Sequence, residues 1–209
     1  MPTEASLHHL ATTLQIGDIV FIRVRALPFR AVAAATASWT NHVGIVVATH
    51  CGGAHAEASI AESTFPFSRT TSLVRFADRS EHGRVAVARP RQALTPPQQR
   101  HLQAAAGKRL GIRYDTGFNL RSRGQFCSRF VHEVLEEAAG IHVGEVEHFA
   151  ALLARQPAAS LGFWRLWYFG RIPWQRETIT PASLLRSAAL ELVFDGHVSP
   201  RTHGARARP

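Results

Sequence analysis

Two cysteines, Cys51 and Cys127, and twelve histidines are the side chains of this 209-residue sequence best suited to nucleophilic chemistry. Cys127 stands in Gly124-Gln125-Phe126-Cys127-Ser128-Arg129-Phe130, where a run with apolar residues at helical spacing begins (Phe130, Val131, Val134, Leu135, Ala138). A thiol at a helix N-terminus meets the positive end of the helix dipole and free backbone N–H groups. These stabilise a thiolate and can receive an oxyanion. The competing reading is a buried cysteine acting as a small hydrophobe. A thiol nucleophile also needs a base. His8, His9, His197 and His203 lie near the termini, and His101 and His132 fall within helical patterns, where a surface face accounts for them. His42 differs, because it opens the apolar run His42-Val43-Gly44-Ile45-Val46-Val47 after Trp39-Thr40-Asn41. An imidazole on a strand points one way and is held rigidly. A third group should bond the ring's other nitrogen. Glu62, in Ile60-Ala61-Glu62-Ser63-Thr64, is an acid inside a strand pattern. It can lie beside His42 if the two strands are antiparallel neighbours; otherwise it is a solvated carboxylate. Glu57 is its rival.

The elements that must position these groups fall into two halves. Strand patterns rich in β-branched residues run over Ile19 to Val24 (after the turn signal Gly17-Asp18), His42 to Val47, Ala56 to Ser63 and Arg84 to Ala88. The Ala-rich stretch Phe29 to Ser38 is a short helix. Thr95-Pro96-Pro97 caps and opens a helix to about Leu110, and Cys127 to Ala139 is a second helix, stopped by Gly140. Thr180-Pro181 opens another, and Leu190 to Phe194 is a closing strand. Strands followed by helices predict an α+β fold, an antiparallel sheet with helices packed on it. Residues 1–198 are expected to form one domain, and the basic tail 199–209 to be unstructured.

Composition narrows the function classes. The net charge is +9 and is almost wholly arginine, Lys108 being the only lysine. Such a surface attracts anions in general, but the arginines are scattered along the chain, not striped with aromatics as in a nucleic-acid reader. No specific nucleic-acid partner is expected. Two thiols make no disulfide framework. No signal-peptide pattern or apolar run long enough to span a bilayer is present, so the expected location is cytoplasmic. His50, Cys51 and His55 bracket a Gly-rich turn and could ligate a metal, yet no CxxC or HxxxH spacing accompanies them. No GxGxxG or P-loop pattern occurs, so neither a metal nor a nucleotide cofactor is expected. The aromatic stretch Phe163 to Trp174 is either an interfacial membrane contact or apolar substrate wall, or core filling between sheet and helix.

The order of the pieces carries a resemblance. Gly17-Asp18-Ile19-Val20-Phe21, Thr40-Asn41-His42-Val43-Gly44-Ile45-Val46, Ala61-Glu62-Ser63, Tyr114-Asp115 and Phe126-Cys127-Ser128 together resemble the permuted NlpC-like papain-fold amidases of YiiX/YebB type, from about Gln15 to Gly196. In that group the histidine strand precedes the cysteine helix, as here. The resemblance implies an antiparallel, partly barrel-like sheet with the cysteine helix packed on it. It implies Cys127 as nucleophile, His42 as base and Glu62 as the orienting residue, with Tyr114 and Ser128 in the oxyanion or substrate region. Cys51 matches no catalytic position. The implied activity is a cysteine hydrolase, amidase- or peptidase-like, working through a thioacyl-enzyme on a small-molecule, peptide or lipid substrate. The alternatives are an acyltransferase or lipid-directed thioesterase-like enzyme, with peripheral membrane contact, and a non-catalytic binding module.

Overall fold

The computed structural model describes residues 3–52, 55–156 and 161–199. In chain order its elements are β1 (Thr3–Ser6), α1 (Leu7–Thr13), β2 (Ile19–Val24), α2 (Leu27–Ala35), β3 (His42–Gly52), β4 (His55–Glu62), β5 (Arg69–Ser72), α3 (Leu73–Ala77), β6 (Ser80–Pro90), α4 (Pro96–Gly107), α5 (Cys127–Ala139), β7 (Glu147–His148), α6 (Phe149–Ala154), α7 (Leu161–Trp167), β8 (Glu177–Thr178), α8 (Pro181–Leu185) and β9 (Leu190–Ser199). The α+β class is as expected. Seven strands form one sheet in the order β1-β9-β6-β2-β3-β4-β5. Every pair in it is antiparallel except β1 with β9, which is parallel. Strand β9 continues to Ser199, past the expected end at Phe194; the tail from residue 200 lies outside the described residues. No described helix is long and apolar enough to cross a membrane.

The central strands are apolar at consecutive positions because both faces of the sheet are covered. Ile19, Phe21, Val43, Ile45, Ala86 and Ala88 point into one core, against α4 and α5. Val20, Ile22, Val46, Val85 and Val87 point into the other, closed by α1 and α3. Helix α4 begins as its sequence signals, with Thr95 in a capping box with Gln98 and prolines in the first turn. Helix α5 has its bounds where the apolar spacing put them, and Gly140 closes it in the left-handed conformation, at φ 68°. Its apolar stripe lies against β3 and β4, and this docking carries Cys127 to the sheet.

The short polar motifs around the strands are clamps. Asp18 accepts from the Gln15 N–H at 2.8 Å and from Arg89 at 2.7 and 2.8 Å. Asn41 bonds both backbone groups of Val24, and Thr40 Oγ1 donates to the Ile22 carbonyl at 2.9 Å, fixing the start of β3 on β2. Gly44 is constrained differently. A Cβ there would stand 2.5 Å from Ile60 Cγ2 and 2.9 Å from the Phe76 ring. Replacing Gly44 by Ala is expected to cost about 1–3 kcal/mol by overpacking, lowering Tm by about 2–12 °C; an unchanged melt would show that Phe76 moves aside freely.

Candidate active site

Antiparallel pairing of β3 and β4 brings the imidazole and the carboxylate together. Continuing the register from Ile45↔Ala61 sets Glu62 across from Gly44, one diagonal step from His42. The Nε2–H of His42 donates to Glu62 Oε2 at 2.6 Å, and the two side chains are 1% and 0% exposed. Glu57, the rival acid, is exposed and pairs across from His50. A carboxylate buried this deeply needs more than one partner. Arg79 Nη2 donates to Oε2 at 2.7 Å and Arg69 Nε to Oε1 at 3.3 Å. Burial alone would raise the acid's pKa. The hydrogen bond and charge of His42 and then the charge of Arg79 outweigh it, holding Glu62 at about 2.

Two aromatic rings hold the imidazole from its sides. Phe29 of α2 meets it edge-on with centroids 5.7 Å apart, and Phe76 of α3 lies 5.6 Å away, in the space the missing Gly44 side chain leaves. The Arg79 guanidinium sits 4.9 Å above the far side of Phe76. Arg69, Phe76 and Arg79 all come from the β5–α3 segment, which carried no sequence signal of its own. Phe29 lies in the Ala-rich helix, where nothing in the pattern singled it out.

Cys127 is the first residue of α5 and is buried. Phe126 is the N-cap, and its side chain makes no capping bond. Ser63 Oγ, next to Glu62, donates to the Gln125 carbonyl at 2.9 Å and ties the β4 end to the start of α5. The Tyr114 segment is bonded alongside, with Asp115 N–H on the Gln125 carbonyl and Gln125 N–H on that of Arg113. The outcome is a convergence. With Nε2 on Glu62, the His42 ring keeps a buried Nδ1 that has no other partner. Burial disfavours the charged ring, but the neighbouring Cys127 and then Glu62 outweigh it and push His42 up to about 9. The buried Tyr114 hydroxyl also lacks a full hydrogen bond, and burial, followed by the charge of Cys127, pushes the phenol well above its ordinary value. Ser128 also lines the cavity beside Cys127, and its Oγ donates to the Ile179 carbonyl at 2.7 Å, anchoring the first turn of α5.

Beside Cys127 lies a cavity of about 30 Å³ with mostly apolar walls, including Val32, Phe118, Phe149, Leu153 and Trp164. The aromatic stretch thus divides. Trp164 and Ile172 are buried, as core filling requires, whereas Leu166, Phe169 and Trp174 are exposed.

The Glu62 pairing links stability to pH. The folded acid titrates at about 2, below its ordinary 4.5, so its contribution is complete above pH 4.5 and is lost as pH falls to about 2. The raised His42 contributes fully below pH 6.5 and loses its share as pH rises through about 9. Glu62→Gln is expected to lose about 3 kcal/mol at neutral pH by leaving buried positive groups unpaired. In urea titrations across pH the gap should close between pH 4.5 and 2; a constant gap would mean that the charge does not carry it.

The chain is similar to known proteins over most of its length. The chain is 26% identical over 179 residues to the uncharacterized protein YiiX of Escherichia coli K12, covering 86% of this chain and 85% of that one. The crystal structure described as that of the metalloprotein YiiX of Escherichia coli O157:H7 superposes with a TM-score of 0.75 at 25% identity, covering 88% of this chain and 98% of that one. Residues 13–194, spanning every strand and helix named above except β1, most of α1 and the second half of β9, match the family described as permuted papain-like amidase enzymes, YaeF/YiiX, C92, and the chain belongs to that family.

Proposed function

We propose that the protein hydrolyses an amide or ester with an apolar acyl part, through a thioacyl-enzyme on Cys127. The observation that supports this reading is that the His42 ring and the Tyr114 hydroxyl both meet Cys127, with Cys127 and Tyr114 lining a small apolar cavity. His42 takes the thiol proton of Cys127, as the base that the resemblance implies, and its pKa, pushed up to about 9 by Cys127 and then Glu62 against the effect of burial, lets it hold that proton for the leaving group. The sulfur attacks the substrate carbonyl carbon, a C–S bond forms, and the carbonyl π pair moves onto oxygen. The neutral Tyr114 phenol and the first-turn N–H groups of α5 are the donors for that oxyanion. Collapse breaks the C–N or C–O bond, and the leaving group takes the proton from His42. Water then gives a proton to the neutral imidazole and attacks the thioester; the acid leaves and the sulfur is regenerated. Glu62 keeps the ring oriented and favours its charged form throughout.

The apolar cavity supports a second reading, in which the held acyl group passes to a hydroxyl or amine acceptor in place of water. Partition of product between free acid and acyl-acceptor, measured with added acceptor, separates the two. Among the described residues no group of three or more His, Cys, Asp or Glu side chains could hold an ion, and His42 and Glu62 are engaged with each other and with two arginines. Cys51 and His55 lie outside the described side chains.

Two measurements test the proposal. Iodoacetamide labelling of Cys127, read by mass spectrometry across pH, should slow at least tenfold in His42→Ala; equal labelling in both proteins would sink the pairing. With p-nitrophenyl octanoate, Cys127→Ala should be inactive and His42→Ala about a thousandfold slower. Tyr114→Phe should lower kcat about a hundredfold with KM little changed, whereas a rise in KM alone would move Tyr114 to substrate binding.

A further inference from the structure

Several surface depressions meet at Thr116, the exposed residue two positions beyond Tyr114. One is walled by apolar side chains, among them Phe29, Phe65 and Trp167, and shares Tyr114 and Phe118 with the cavity beside Cys127. A second continues past Trp167 to Leu166, Phe169 and Arg171. A third is bordered by Arg113 and Arg123. Apolar walls thus continue, through Tyr114 and Phe118, from the cavity beside Cys127 to a surface that is both hydrophobic and basic.

The exposed part of that surface is costly for the fold. Phe169 is 95% exposed, Leu166 80% and Phe65 67%. Phe169 also takes a left-handed backbone at φ 50°, with Gly170 following at 87°; a bulky residue seldom adopts that conformation and here gains no packing in return. The segment is nevertheless held firmly from behind. Trp167 Nε1 donates to the Thr116 carbonyl at 3.0 Å, and Tyr168 and Arg176 both donate to that of Gly117, at 3.1 and 2.8 Å. Trp164 fills the core beneath. Arg113, Arg123, Arg165 and Arg171 are exposed, and none has an acidic partner among the described residues. Elsewhere Arg23, Arg84, Arg89, Arg109, Arg129 and Arg155 each hold a carboxylate, whereas Arg75, Arg91, Arg100 and Arg186 are exposed without an acidic partner among the described residues but have no exposed aromatic platform beside them.

We infer that this face docks on an anionic lipid surface. Leu166, Phe169 and Phe65 enter the boundary between headgroups and acyl chains, and the four unpaired arginines meet lipid phosphates. A rigid aromatic platform with unpaired cations around it fits an interface that is apolar below and negative above. Docking would turn those apolar walls toward the bilayer, so that an acyl group could reach Cys127 without crossing water. An apolar protein partner accounts for the exposed rings but leaves the four arginines unmatched.

Flotation of the full chain with sealed vesicles tests this without turnover, so the outcome is separable from that of the catalytic reading. The probes are vesicles of phosphatidylcholine alone and of three parts phosphatidylcholine to one part phosphatidylglycerol. Wild type and Cys127→Ala are expected to float with the anionic vesicles and about tenfold less with the neutral ones. Leu166→Ser/Phe169→Ser and Arg123→Gln/Arg171→Gln, checked by melting to be folded, should each weaken partition by about tenfold. Arg75→Gln/Arg100→Gln removes the same charge from exposed positions on α3 and α4 and should leave partition within about twofold. The inference is overturned if wild type stays with neither vesicle, if the Arg75/Arg100 pair weakens binding as much as the Arg123/Arg171 pair, or if the Leu166/Phe169 variant floats like wild type. A concentration-dependent dimer abolished by Leu166→Ser/Phe169→Ser, with no flotation, would assign the face to a second copy instead.

Discussion

An ionised carboxylate in the interior is the constraint around which this protein is organised. Glu62 is fully buried on β4, and a charge withdrawn from water at that depth destabilises the fold unless its lone pairs are met by donors. The chain supplies three: the His42 imidazole from the neighbouring strand, Arg79 after α3, and Arg69 from the next strand out. Each donor requires an element to carry it. Strand β5 pairs with β4 with Arg69 opposite Glu62, and α3 packs Phe76 against the imidazole while leading the chain to Arg79. The local architecture of this sheet end follows from neutralising one oxygen pair.

The same cluster sets the state of the imidazole beside Cys127. Because Glu62 is kept ionised, Nε2 of His42 is a donor and the ring is fixed with Nδ1 as its remaining polar atom. A neutral glutamic acid would leave the ring's orientation and tautomer undetermined. Arg79 therefore acts on the imidazole through Glu62, without touching it. Tyr114 closes the arrangement from the opposite side, its phenol uncharged because burial and the nearby sulfur both oppose ionisation.

What could be read from the sequence was what periodicity and capping encode. Cys127 to Ala139 was legible to the residue because an apolar stripe begins and Gly140 ends it, and the central strands because β-branched runs lie between turn residues. Glu62 stood out as an acid in a strand, and its pairing with His42 followed once the strands were neighbours. The β5–α3 segment was not legible. Arg69 to Ser72 is a four-residue edge strand, α3 has only five residues, and neither is long enough to show a period. Arg79 had no mark that separates it from the other arginines, since its role depends on a contact across three dimensions. The aromatic stretch held two answers at once, because Trp164 faces inward and Phe169 outward on consecutive turns.

The halves of the site differ in how far the chain must travel to make them. His42 and Glu62 come from one antiparallel hairpin, a unit built from contacts close in sequence, whereas Cys127 arrives only when α5 docks on that hairpin after the whole of β6 and α4 has intervened. Contacts of long sequence separation are the late and entropically costly ones. A chain still on the ribosome, or one whose α5 has come loose, thus carries a thiol with neither imidazole nor phenol beside it, and its chemistry is that of an ordinary cysteine. The permuted order makes the surroundings of the thiol, and with them the chemistry proposed for it, a property of the completed fold.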